Sequence, residues 1–86
     1  MQKVIDVDFQ VRWHLPLYIR IGTSERERVD GPDAALSALR HRWKCRESDR
    51  YHQAKARCLA AVAWHGSAEL ARESFLKAAV EAKVLA

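Results

Sequence analysis

Leu17-Tyr18-Ile19-Arg20-Ile21, followed by Gly22-Thr23-Ser24 and then by Asp30-Gly31-Pro32-Asp33, is the stretch on which the fold turns. Leu17, Ile19 and Ile21 alternate with Tyr18 and Arg20, the period-two pattern of a strand with one buried and one wet face. Pro16 suits the entry to that strand, where no ladder hydrogen bond is lost. Gly22-Thr23-Ser24 turns the chain, and Arg26–Val29 can return as a short strand. At Asp30 the pattern changes to that of a helix start. Asp30 can cap, Pro32 is tolerated in the first turn, and Asp33 complements the dipole.

Upstream, Val7, Phe9, Val11 and Trp13 alternate with Asp6, Asp8, Gln10 and Arg12, which predicts a longer first strand. Residues 1–29 thus read as a two- to three-stranded antiparallel β-meander whose apolar face needs a cover. Downstream, residues 30–86 read as three helices that supply it. Leu36, Leu39 and Trp43 fall at i, i+3 and i+7 on the first. Ser48 caps the second, which carries Tyr51, Ala54, Cys58, Ala61 and Val62 on one face and stops at Gly66. Ser67 caps the third, with Leu70, Ala71, Phe75, Ala78, Ala79, Ala82 and Leu85 on its apolar side. The expected fold is α+β, one small domain over residues 1–86. A second stripe on the third helix, Leu76, Val80 and Val84, lies roughly opposite the first and is a candidate for self-association. Beside it, Glu73, Lys77 and Glu81 make the i, i+4 pairs of a solvated face.

Composition limits the stability of such a domain. Of its 86 residues 49% are hydrophobic, but 14 are alanines, each burying little area. A chain this short buries only about 60% of its unfolded surface, so self-association would be a natural supplement. Acidic Asp6 and Asp8 stand where a signal peptide needs an apolar stretch. The longest apolar run, Cys58 to Trp64, is far short of the ~20 residues of a spanning helix. Two cysteines, Cys45 and Cys58, make no disulfide scaffold. A reduced, cytoplasmic protein without membrane contact is expected.

Charge is localised. Residues 40–57 hold seven basic side chains against Glu47 and Asp49, while residues 1–39 and 58–86 are close to neutral. That segment carries +5 against −1 for the rest, so the net charge of +4 is one basic joint, a field that attracts anions, acidic proteins or nucleic acid. Arg42, Lys44, Arg46, Arg50 and Arg57 are its candidate contacts.

No set of residues assembles into recognisable catalytic machinery. His41 and Cys45 are four apart, with His52 and Cys58 further on, but paired zinc-ligand spacing does not recur, and a helical reading turns Cys58 inward and His52 outward. Cys45, between Lys44 and Arg46, has cationic neighbours that favour a thiolate and a helix C-terminus that opposes it, and it lacks a resolving partner. Gly22, Gly31 and Gly66 are scattered, so no phosphate-cradling loop exists, and no serine sits in a nucleophile elbow. His65 reads as a residue at a helix C-terminus, where a cation is favoured. Trp64 shares a side of the second helix with Arg50, Gln53 and Arg57, a combination able to stack nucleobases. The plainer expectation is that it packs on a neighbouring helix beneath the arginine stems.

The order Pro16, Leu17-Tyr18-Ile19, Trp43, Tyr51, Ala54, Cys58, then Ala71-Arg72, Phe75, Ala78-Ala79 and Glu81-Ala82 resembles the small alphaproteobacterial family called domain of unknown function 982. The resemblance runs roughly from Trp13 to Ala82. It implies a short β-meander followed by helices and no assigned activity, and it lends no catalytic residue. The expected function is a non-catalytic binding or interaction module that forms a homodimer, with no cofactor or metal. The alternative is a nucleic-acid-binding protein using residues 40–57.

Overall fold

The computed structural model describes residues 12–23 and 25–86. Strand β1 (Leu17–Ile19) pairs antiparallel with β2 (Glu27–Val29) in the register Leu17↔Val29, Tyr18↔Arg28, Ile19↔Glu27. Alternation places Leu17 and Ile19 in the core, as the period-two pattern requires, and Ile21 packs half-buried against it. The other edge of β1 is covered by the last residues of the chain. Arg20 donates its N–H to the Val84 carbonyl at 2.7 Å, and the Ala86 N–H reaches the Tyr18 carbonyl at 2.8 Å. Of the predicted strand over residues 6–13 only Arg12 and Trp13 fall among the described residues, and neither is in a strand; Trp13 is buried and its backbone N–H is held by the Asp30 carbonyl at 2.7 Å.

Three helices follow: α1 (Pro32–His41), α2 (Asp49–Ala63) and α3 (Ala68–Ala82). Pro32 opens α1, but the cap is Gly31 and not Asp30, and no side chain bonds to the first turn. The Asp30 carboxylate is engaged elsewhere, accepting from Arg12 at 3.2 Å. Ser48 and Ser67 cap α2 and α3 as their positions predict, accepting from the N–H groups of Tyr51 and Leu70, each at 3.1 Å.

The helices bury the faces their periodicity assigns. Ala35, Leu36, Ala38 and Leu39 point inward from α1, then Tyr51, Ala54, Cys58 and Ala61 from α2, then Ala71, Phe75, Ala78 and Ala79 from α3. Trp43 lies beyond the end of α1 and is buried all the same. Phe75 sits at the centre, its ring centroid 6.0 Å from that of Trp13 and 5.5 Å from that of Trp43. Both indole N–H groups are buried without an acceptor, so the two tryptophans contribute by ring packing alone.

Two helix ends depart from the sequence reading, and both turn on a non-glycine residue in the left-handed region. At the end of α3, Lys83 has φ 60°, the Lys83 N–H bonds to the Val80 carbonyl and the Val84 N–H to the Ala79 carbonyl. This is a Schellman closure. It ends the helix at Ala82 and turns Val84 into the core, where it is 7% exposed. The expected stripe of Leu76, Val80 and Val84 is thereby broken. Leu76 is half-buried against the core, and only Val80 is exposed. At the end of α2, His65 has φ 59°, and the Ala60 carbonyl accepts from both Trp64 (2.8 Å) and Gly66 (2.9 Å). Gly66 approaches α2 closely here: a Cβ would lie 3.1 Å from that of Ala60, tighter than an ordinary contact.

Candidate functional site

The turn at His65 joins α2 to α3 in an antiparallel hairpin, and its tip carries an unusual surface. Among the described residues, seven large hydrophobic side chains are exposed, and four of them fall between positions 59 and 70. They are Leu59 (44% exposed), Val62 (47%), Trp64 (75%) and Leu70 (47%). Residues 58–68 contain no Asp, Glu, Lys or Arg. Three of the four, Leu59, Val62 and Trp64, lie in this uncharged run, Leu70 follows Glu69, and the largest ring stands nearly free in solvent.

This corrects the expectation that Trp64 packs beneath arginine stems. Trp64 is the capping residue beyond Ala63, with φ −127° and ψ 16°, so the helical angle that predicted its packing no longer applies to it. Arg57, one heptad earlier, does not cover it either. Its guanidinium donates to the Ser74 hydroxyl at 3.2 Å and ties α2 to α3. Val62, expected on the buried face, lies 100° on from Ala61 and falls at the margin of the buried stripe. Leu70, expected on the apolar side of α3, is likewise half outside. Leu59 belonged to no predicted stripe, and together with the uncharged run around it that was the signal available in the sequence.

The basic joint lies at the other end of α2. From Arg50 to Trp64 the helix rises roughly 21 Å. Several of the candidate anion contacts are already engaged. Arg42 forms a two-pronged pair with Glu27, Nη1 to Oε1 at 2.7 Å and Nη2 to Oε2 at 2.8 Å. The hydrogen bond to Glu27 raises the Arg42 pKa further above its ordinary value. Both side chains are about 40% exposed, so the pair contributes under about 1 kcal/mol. Arg46 donates through Nε to the Trp43 carbonyl at 2.8 Å, and Arg57 is spent on Ser74. Lys44 and Arg50 are exposed and form no ion pair among the described residues. The structure brings Arg42, Lys44 and Arg46 together in the α1–α2 connection and spaces Arg50 and Arg57 along α2.

The remaining chemistry-bearing residues do not converge. His41, Cys45 and His52 are exposed while Cys58 is fully buried, and no group of three or more His, Cys, Asp or Glu among the described residues could hold a metal ion. An open depression on α3 is lined by Glu69, Leu70, Arg72, Glu73 and Leu76. No helix among the described residues is long and apolar enough to cross a membrane.

Burial pushes the Cys58 thiol up to about 12. Its folded-state pKa thus exceeds the unfolded value, so the protonated thiol stabilises the fold fully below about pH 8.5, and that contribution is lost as pH rises toward 12. Between those limits the unfolded chain has released the proton and the native chain has not. Stability is expected to fall by about 1.4 kcal/mol per pH unit through this group. Denaturant titrations from neutral pH to pH 10.5 should show this slope in the wild type and a shallower one in Cys58→Ala. In the native protein at neutral pH, an alkylating reagent should modify Cys45 and spare Cys58. Rapid native labelling of Cys58 would contradict its burial.

Comparison with known proteins gives one match. The family described as Protein of unknown function (DUF982) matches residues 15–86. No curated protein and no solved structure matches the chain.

Proposed function

The chain belongs to the DUF982 family, and from that premise we propose that it is a non-catalytic interaction module that docks through the tip of the α2–α3 hairpin, with Trp64 as its anchor. The observation that carries this reading is the 75% exposure of Trp64 in a domain that buries its other two tryptophans. A large aromatic ring in water forgoes the burial energy that a small core needs most. Tryptophan is also the residue most enriched at binding hot spots. The left-handed turn at His65 and the close approach of Gly66 to Ala60 fix the tip, so little ordering entropy remains to be lost on docking.

The geometry favours a protein surface over nucleic acid. A stacking site needs aromatic and basic groups side by side. Here Trp64 stands about a full helix length from Arg42, Lys44, Arg46 and Arg50, and Arg42, Arg46 and Arg57 already have partners within the chain.

A photoreactive residue introduced at position 65, in the native cell, tests this reading. Position 37, on the exposed side of α1, is the control. Protein adducts are expected from position 65 and not from position 37. No adduct at 65, or equal adducts from both, would contradict the tip as a docking surface.

A further inference from the structure

Resting on the reading of the tip as a docking surface, we infer that its occupant is a second copy of this chain, the two tips meeting across a two-fold axis. Such a contact sets one patch against the same patch of the partner. Any net charge within the patch therefore faces itself and repels. Most of the molecule cannot meet this condition. The basic joint would place its excess positive charge against an equal excess, and α3, with Glu69, Glu73 and Glu81 against Arg72 and Lys77, would place a net negative charge against its own copy. The eleven residues from Cys58 to Ala68 carry no formal charge, and they hold three of the seven exposed large apolar side chains among the described residues, with Leu70 just beyond.

Long-range repulsion selects the same end. Each copy carries +4, almost all of it in the joint. At physiological ionic strength charges are screened beyond about 8 Å. Docking through the tip keeps Arg42, Lys44, Arg46 and Arg50 at least roughly 13 Å of helix from Leu59, the nearest contact residue, past that distance, and only Lys55 and Arg57 lie nearer. The apolar tip and the basic joint then have different uses: one is buried between copies and the other stays in solvent. The self-association expected from Leu76, Val80 and Val84 is thus moved to Leu59, Val62, Trp64 and Leu70.

The contact is small. A standard interface buries about 800 Å² per partner, and four side chains that are already partly covered supply only part of that. A dissociation constant of roughly 1–100 μM follows for an interface of this kind. Within it Trp64 is the dominant anchor, and its truncation is expected to weaken the dimer at least about 30-fold.

Sedimentation equilibrium of the purified chain over about 5–500 μM, at about 0.15 M and about 0.5 M salt, tests the inference. The expected result is a mass that rises from 9.9 kDa toward twice that value with concentration, undiminished by the higher salt. Trp64→Ala should need at least about 30-fold higher concentration to reach the same mass, while Val80→Ala, exposed on α3 outside the tip, dimerises as the wild type does. Acrylamide quenching gives a readout without mutation. Trp13 and Trp43 are buried, so quenching reports Trp64 and should decrease as the dimer forms. A monomer at every concentration would overturn self-association and leave the docking surface to stand on the cross-links from position 65. A dimer that Trp64→Ala leaves equally tight, or that dissolves at high salt, would place the contact elsewhere and overturn the inference, while the tip reading again stands or falls on the cross-links from position 65.

Discussion

Phe75→Ala is expected to cost about 3–5 kcal/mol, the range for removing a fully buried aromatic ring from a core that cannot collapse around the gap. Phe75 is fully buried and is the ring on which Trp13 and Trp43 both pack, at 6.0 and 5.5 Å. Neither tryptophan can follow the cavity inward without leaving its own position. Globular domains hold only about 0.05–0.15 kcal/mol of stability per residue, about 4–13 kcal/mol for a chain of this length, so a loss of this size removes at least about a quarter of it. Urea denaturation should show the midpoint falling by at least about 1 M, and the thermal midpoint should drop by more than about 12 °C. A loss below about 1 kcal/mol would mean that the tryptophans do not depend on Phe75.

Tyr51 supports the next largest expectation. Its ring is buried, and its hydroxyl donates to the Leu39 carbonyl at 3.1 Å. Leu39 is in the last turn of α1, where carbonyls have run out of partners within the helix. The tyrosine therefore ends one helix with a side chain from the next. Tyr51→Ala should cost about 3–5 kcal/mol through the lost ring. Tyr51→Phe keeps the ring and leaves a buried carbonyl unpaired, which should cost about 1–3 kcal/mol. The two variants separate packing from hydrogen bonding in one series. Equal stability of Tyr51→Phe and the wild type would show that the carbonyl finds another donor.

The parts of this fold that can be read from the sequence are those governed by a period. Leu17 and Ile19 are buried because alternate residues of a strand share a face. Ala54, Cys58 and Ala61 are buried because a helix repeats every 3.6 residues. Serine caps at Ser48 and Ser67 are legible for a chemical reason: a short side chain can reach an unpaired N–H. What could not be read is where each period stops. His65 and Lys83 adopt the left-handed conformation without being glycine, so nothing in their identity marks the end of a helix. Extending the α3 pattern past Ala82 put Val84 on an outer stripe when it is buried. Extending the α2 pattern past Ala63 gave Trp64 a place to pack when it has none. Both errors concerned the candidate interaction surface, because that surface is built where a helix ends. The closure of β1 by residues 84–86 was also illegible, since three residues are too few to show alternation.

The central claim is that Trp64 is held for contact and contributes nothing to the core of its own domain. Urea denaturation of Trp64→Ala, at about 1 μM or below so that the monomer dominates, tests it most directly. The predicted change in unfolding free energy is within about 0.5 kcal/mol, the range of a surface substitution. A loss of about 3 kcal/mol or more, the cost of truncating a packed aromatic ring, would contradict it.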